Sequence, residues 1–301
     1  PSTSMKNDYT VEEGIGIFRI RSVMIQRPQE FRVSPQLLVY RRAIRKILRI
    51  VEPDIVHVNN PAFLALAVVP AAKKMNIPTI ATSHFMPENI VHYLKMPNII
   101  GDVLNNIIWK QYAGFYSKLD YVISPTQTAA DLLTKNKLRT DLEVISNGID
   151  LKKYKKKLTP ESAKKKLSLP EKPLILFVGR LDKENIDVLL NALSELDSKL
   201  DYHVVVAGKG KELDSLIQQA QELHLSTRVT FTGYVPDEKL RLFYNAADIF
   251  VMPGIAELQS LVTMEAMATG LPVIGADAVA LPHLIKNNRN GYLFQPGNSK
   301  D

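Results

Sequence analysis

Residues 248–276 read D-I-F-V-M-P-G-I-A-E-L-Q-S-L-V-T-M-E-A-M-A-T-G-L-P-V-I-G-A, and no other stretch narrows the fold so far. An apolar run from Ile249 to Met252 stops at Pro253 and Gly254. A polar loop carrying Glu257 follows, then helix formers from Leu261 to Ala268, halted by Gly270 and Pro272 before a second apolar run ending at Ala276. This is a strand, a loop, a helix and a second buried strand. A helix starting near Ser260 turns its unpaired amides and the positive end of its dipole toward the strand ends, where an anion is favoured. Glu257 stands before that helix and Glu265 inside it. Both have a plain reading, as a loop charge and part of a solvated helix face. Yet Glu265 lies among Met264, Ala266 and Met267, too apolar a setting for a free surface, so its carboxylate needs hydrogen-bond donors such as sugar hydroxyls.

The rest of the chain alternates in the same manner. Apolar runs at 54–58, 78–82, 119–124 and 142–145 are separated by helical stretches at 62–75, 98–119 and 126–137. Further runs at 173–178, 203–207, 229–232 and 292–294 follow, with helices at 186–196 and 237–247. Such alternation predicts an α/β protein with parallel sheets and right-handed crossovers. A chain of 301 residues, 46% hydrophobic, suits two domains. The expected division is a first domain over residues 1–150, a linker over 151–172 with nine Lys against two Glu, and a second domain over 173–301. His57 reads as a hydrogen-bonded core residue, and Trp109 as helix packing.

The net charge of +7 is concentrated in places. In P-Q-L-L-V-Y-R-R-A-I-R-K-I-L-R-I-V at 35–51, Leu37, Tyr40, Ile44, Ile47, Leu48 and Val51 recur at helical spacing, while Arg41, Arg42, Arg45, Lys46 and Arg49 gather on the remaining face. Two readings stand: a core-packed helix with a solvated basic face, or an interfacial helix drawn to anionic lipid head groups at about 1 kcal/mol per basic residue. Nucleic acid is not indicated, because basic residues interleaved with aromatics are not found. The absence of cysteine excludes a disulfide framework and a thiolate metal site. No apolar run approaches the ~20 residues that span a bilayer, and residues 1–9 do not read as a signal peptide, so membrane contact is expected to be peripheral.

The spacing E-x7-E followed by A-M-A-x-G-x-P-V, together with H-F-M-P-E-N at 84–89, S-N-G-I-D at 146–150 and G-R-L at 179–181, resembles the retaining glycosyltransferases of family 4. E-L-Q-S-L at 257–261 is similar to the branch that glucosylates diacylglycerol; most members carry Gly-Phe-Gly-like residues where this chain has Leu258, Gln259 and Ser260. The resemblance runs over nearly the whole chain and implies the GT-B fold, two Rossmann-like domains facing a cleft. It implies UDP-glucose as donor, a diacylglycerol acceptor, no metal or other cofactor, and a peripheral place on the cytoplasmic side of a bacterial membrane with an anionic surface.

By position, Glu257 inherits contact with the donor sugar and Glu265 the ribose hydroxyls. His84 inherits contact with the sugar 6-hydroxyl near the reacting carbon, with a structural loop histidine as the alternative. Arg180 and a following lysine would neutralise the diphosphate. The family usually reads G-R-L-x-x-E-K-N, whereas here Glu184 is directly followed by Asn185, so Lys183 would take the lysine's part by a loop shift. Gly179, Gly208, Gly233, Tyr234, Gln259, Ser260 and Leu261 complete the expected donor side, the glycine pair at 208–210 serving first as a tight turn. The expected catalytic set is His84, Arg180 and Glu257. Family members begin with a βαβ unit and continue into further helices, so the chain reads as a fragment lacking both ends. Other readings are a GDP-mannose enzyme acting on phosphatidylinositol, one with a soluble sugar acceptor, or a non-catalytic nucleotide-sugar-binding membrane protein.

Overall fold

The structure, a computed structural model, describes residues 8–20, 23–25, 31–33, 37–59, 64–84, 98–182 and 185–301. The chain divides into two compact units, Pro1–Ile145 and Ser146–Asp301.

The first unit opens with two antiparallel pairs, β1 (Asp8–Glu12) with β2 (Ile15–Arg19) and β3 (Val23–Ile25) with β4 (Phe31–Val33). Only the second strand of the first pair was expected. Helix α1 (Leu37–Val51) follows and packs against α2 (Ala65–Lys74). The strands β5 (Val56–Val58), β6 (Thr79–Thr82), β7 (Tyr121–Ser124) and β8 (Leu142–Val144) form a parallel sheet in that order. α2, α3 (Asn98–Tyr116) and α4 (Gln127–Lys135) lie in the connections between successive strands. Thr126 starts α4 by accepting the Ala129 amide, an ordinary N-cap. Val58, Ala81 and Val122 of the sheet pack with Ala72, Trp109, Tyr116 and Leu133 of the helices as one core.

The second unit begins with α5 (Leu151–Tyr154) and α6 (Pro160–Lys166), in the stretch expected to be a linker. Local chemistry explains both helices. Asp150 caps α5 by accepting the amides of Lys152 and Lys153, and Thr159 caps α6 with Pro160 at the first turn. Lys164, Lys165 and Lys166 fall in the last turn of α6, where the helix dipole favours cations. Tyr154 and Ala163 join the core of this unit, and Asn245 Oδ1 accepts the amides of Lys157 and Leu158. The structure therefore ends the first unit at Ile145 and makes 151–172 an integral part of the second.

Six strands follow: β9 (Leu174–Val178), β10 (His203–Ala207), β11 (Val229–Gly233), β12 (Ile249–Met252), β13 (Val273–Ala276) and β14 (Gly291–Phe294). They pair in the order β11-β10-β9-β12-β13-β14, all parallel. Helices on both faces require strands without alternation, and L-I-L-F-V and H-V-V-V-A are buried almost throughout. The intervening helices are α7 (Ile186–Glu195), α8 (Leu213–Glu222), α9 (Asp237–Ala246), α10 (Leu261–Ala268) and the short α11 (Leu281–Leu284). Counted from β9 the spatial order is 3-2-1-4-5-6, the doubly wound arrangement whose ligands bind outside the carboxyl ends where the order reverses, here between β9 and β12.

One buried ion pair anchors α6 to this sheet. Lys164, 6% exposed, meets Asp248 Oδ2 at 2.8 Å, and the same oxygen accepts the Leu174 amide at the start of β9. Removing the acid would leave a buried ammonium and an unpaired amide. Breaking a fully buried pair costs about 3–5 kcal/mol. The Asp248 side chain is 40% exposed, which lowers the expected loss for Asp248→Ala to about 2 kcal/mol. Urea unfolding should show that shift, with a smaller one for Lys164→Met, which leaves no uncompensated buried charge.

Candidate functional site

At the carboxyl edge of the second unit's sheet, three strand ends are stitched together through their backbones. The Gly179 amide donates to Ala207 O at 3.0 Å, Gly208 to Gly233 O at 2.9 Å, and Leu181 to Lys209 O at 3.1 Å. A Cβ on Gly208 would fall 1.8 Å from Gly179 O, and one on Gly210 would fall 2.3 Å from Leu181 C. Gly233 ends β11 at φ 66, in the left-handed region. These glycines let the turns stack, and Arg180 stands exposed on the ledge they form. Among the described residues Arg180 makes no ion pair. Lys183 and Glu184 lie outside the described residues, and Asn185 after them is left-handed at the start of α7. Tyr234, 68% exposed, carries the Lys209 ammonium 5.6 Å from its ring centroid, a neighbour that the sequence reading did not single out.

On the β12 side the loop is held more firmly. Half-buried Glu257 accepts the Ala280 amide through its backbone carbonyl at 3.2 Å. Val279 beside it has φ 49, a rare conformation for a β-branched residue. Gln259 commits both ends of its side-chain amide: Oε1 accepts the Asn147 N–H at 3.1 Å and Nε2 donates to Ser146 Oγ at 2.6 Å. Ser260 is buried, with its hydroxyl bonded to Thr263 Oγ1 at 2.8 Å, and gives no side-chain cap to α10. Leu261, 43% exposed, opens the helix. One turn on, half-buried Glu265 receives the Tyr244 hydroxyl at Oε2, 2.8 Å away. The donors that Glu265 requires therefore come first from the protein. Tyr154 lies near the same carboxylate: burial, then Glu265, pushes its phenol up to about 12.

Gly179, Arg180, Gly208, Gly233 and Tyr234 thus lie on one side of the point where strand order reverses, and Glu257, Gln259, Ser260, Leu261 and Glu265 on the other. Tyr154 and Tyr244 escaped the sequence reading because in L-K-K-Y and R-L-F-Y-N-A they carry only the signal of core aromatics.

The remaining sites belong to the first unit. His84 follows β6 at the surface; partial burial, then the nearby His57, lowers its pKa from the ordinary imidazole value. His57 bonds Thr82 Oγ1 at 2.7 Å, but at the surface rather than in the core. Residues 85–89 of the expected loop lie outside the described residues. On α1, Ile44 and Leu48 are buried while Arg41, Arg42, Arg45, Lys46 and Arg49 are exposed. Arg42, Arg45, Lys46 and Arg49 line a shallow depression with Ile50, itself 63% exposed. Among the described residues no helix is long and apolar enough to cross a membrane.

Comparison with known proteins agrees with this architecture. Residues 4–153 match the family described as Glycosyltransferase Family 4, and residues 159–301 match Glycosyl transferases group 1. The chain belongs to glycosyltransferase family 4 and has the GT-B fold. It is 31% identical to the alpha-monoglucosyldiacylglycerol synthase of Streptococcus pneumoniae, over 97% of this chain and 66% of that protein. To the sulfoquinovosyl transferase SQD2 of Arabidopsis thaliana it is 27% identical, over 96% of this chain and 56% of the relative. The chain therefore spans about two thirds or less of the length of these two relatives. Among solved structures, sucrose-phosphate synthase from Thermosynechococcus elongatus superposes with a TM-score of 0.78 at 21% identity, covering 99% of this chain and 75% of that one. Anabaena HepE in complex with UDP and glucose gives 0.73 at 21% identity, over 89% and 72%.

The ledge itself can be tested. Gly208→Ala must push the backbones of two turns apart and should destabilise the chain by roughly 2 kcal/mol or more. Gly148→Ala, where a Cβ meets nothing within 4 Å, should stay within about 0.5 kcal/mol. Thermal unfolding of the two variants provides the comparison.

Proposed function

We propose that this chain is the core of a retaining glycosyltransferase that moves glucose from UDP-glucose to diacylglycerol at an anionic membrane surface. The observation that carries the reading is the pairing, across one strand-order reversal, of an exposed Arg180, without an ion pair among the described residues, with a helix start that its own Ser260 does not cap. Both favour a diphosphate: the guanidinium by charge and paired N–H donors, the helix by its free amides and dipole. Glu257 would then hold the sugar hydroxyls, and Glu265 the ribose. The relative from S. pneumoniae, named for the synthesis of a glucosyldiacylglycerol, supports the choice of sugar and acceptor.

In this mechanism the acceptor hydroxyl attacks the anomeric carbon on the face from which the diphosphate leaves. The carbon–oxygen bond to the diphosphate breaks as the new glycosidic bond forms. A phosphate oxygen takes the acceptor's proton, giving glycolipid and UDP. The protein contributes placement and charge stabilisation by Arg180, Lys183 and the amides at Ser260 and Leu261, with no metal ion. His84, its pKa lowered by partial burial, would offer a hydrogen bond to the sugar near the reacting carbon. The exposed basic face of α1, beside exposed Ile50, supports a docking surface for anionic head groups, with the enzyme peripheral on the cytoplasmic leaflet.

A second donor is favoured by one comparison, since the GDP-mannose-dependent alpha-mannosyltransferase of Mycolicibacterium smegmatis is 26% identical over 94% of this chain and 71% of its own length.

Three measurements follow. Incubation with UDP-glucose and diacylglycerol in anionic vesicles should yield an α-linked glucolipid and UDP, unaffected by EDTA; turnover with GDP-mannose alone would transfer the reading to the second donor. Arg180→Ala should lower turnover by about 10²-fold or more, as loss of one charge-stabilising donor costs about 2.7–4 kcal/mol; a loss below tenfold would remove Arg180 from that role. Exchanging Arg42, Arg45, Lys46 and Arg49 for glutamine should weaken sedimentation with anionic vesicles and leave binding of free UDP unchanged.

A further inference from the structure

We propose that Tyr244, seconded by Tyr154, is the positioning residue that presets the Glu265 carboxylate for the vicinal hydroxyls of a nucleotide's ribose. The proposal rests on the reading of Glu265 given above and extends it to residues that do not touch the ligand. A glutamate on a helix has three side-chain torsions to lose when it binds, and a carboxylate fixed beforehand binds a diol without that loss. Tyr244 supplies the fixation. Its ring is fully buried between Tyr154 and Phe250, with both ring centroids 6.1 Å away, so its hydroxyl has one direction in which to point. It donates to Glu265 Oε2 at 2.8 Å, with Val262 O more distant at 3.4 Å.

That bond occupies part of one oxygen. A carboxylate has about four acceptor positions, so positions beyond those facing the two tyrosines remain for the ribose hydroxyls. Burial first, then Glu265, raises the Tyr244 phenol far above its ordinary value, so it remains a proton donor throughout the physiological range. Tyr154 approaches from α5, and its ring meets that of Tyr244 nearly edge-on at 77°. Lys153 next to it pairs with Asp237 in the first turn of α9 at 3.1 Å, an exposed contact between the two helices. A polar contact needed only for packing would be sealed from solvent; Glu265 instead is half-buried, one turn from the open start of α10.

The test is calorimetric titration of the chain with UDP and with its 2′,3′-dideoxy form, repeated with GDP and dideoxy-GDP because the ribose is common to both. The wild type should prefer the nucleotide with intact ribose. Tyr244→Phe, which keeps the ring and the packing, should weaken binding of that nucleotide five- to twentyfold and change the dideoxy form less than twofold. Tyr154→Phe, at the margin of the cluster, should show the same selective loss in smaller measure and serves where Tyr244→Phe folds poorly. Equal losses for both nucleotides, or unaltered discrimination in both variants, would overturn the positioning role while leaving Glu265 as the ribose contact. A wild type that binds both forms equally would overturn the ribose reading of Glu265 itself, and the proposal with it.

Discussion

Two backbones in the second unit approach more closely than any side chain allows. The carbonyl of Gly179 lies where a Cβ of residue 208 would be, and the amides of Gly179 and Gly208 cross-link the ends of β9, β10 and β11. Parallel strands place their carboxyl ends on one edge, but only short turns keep that edge open to a ligand. With larger residues at these positions the turns would separate, and Arg180 would lose the ledge on which it stands. The sheet and the glycines thus form one constraint: strand order selects the edge, and the absent side chains keep it compact.

This part of the molecule was legible in the sequence because local pattern and long-range structure agree. β10, β12 and α10 begin and end where the apolar runs and their breakers place them. Strands buried on both faces announce themselves as near-continuous apolar runs. Residues 151–172 failed by the opposite logic. Their lysines dominate composition, while the information that folds them resides in single residues: Asp150 and Thr159 as caps, Pro160 at a first turn, and Tyr154 and Ala163 as the few apolar anchors. The first hairpin was half visible for a similar reason. Its faces are both largely exposed, so Tyr9 stacks on Phe18 across the pair without the alternation that a half-buried strand shows.

Glu265 marks the limit of reasoning from a linear chain. Its apolar neighbours require that the carboxylate find donors, and that inference holds. What spacing cannot supply is the identity of a donor arriving from a distant element. Tyr244 comes from α9 and Tyr154 from α5, and the protein satisfies part of the need before any ligand is bound. Partial satisfaction suits a binding residue. A carboxylate without partners would be costly to bury, and one fully saturated would have nothing to offer.

The same reasoning gives a physical account of the departure at E-L-Q-S-L. Gly-Phe-Gly-like residues at these positions would give a small, permissive backbone. Here Gln259 adds a side chain, and both ends of its amide are taken by Ser146 and Asn147 at the entrance to the second unit. The loop between β12 and α10 is thereby tied at Gln259 to the S-N-G-I-D turn, and at the Glu257 carbonyl to Ala280. Two attachments on either side of Leu258, itself buried, fix the path of the backbone into α10. A loop held in this way needs no glycine to reach one geometry, because the entropy that glycine would bring is removed by hydrogen bonds instead. Gln259 then belongs to the architecture that fixes the start of α10, and both ends of its side-chain amide are engaged within the protein.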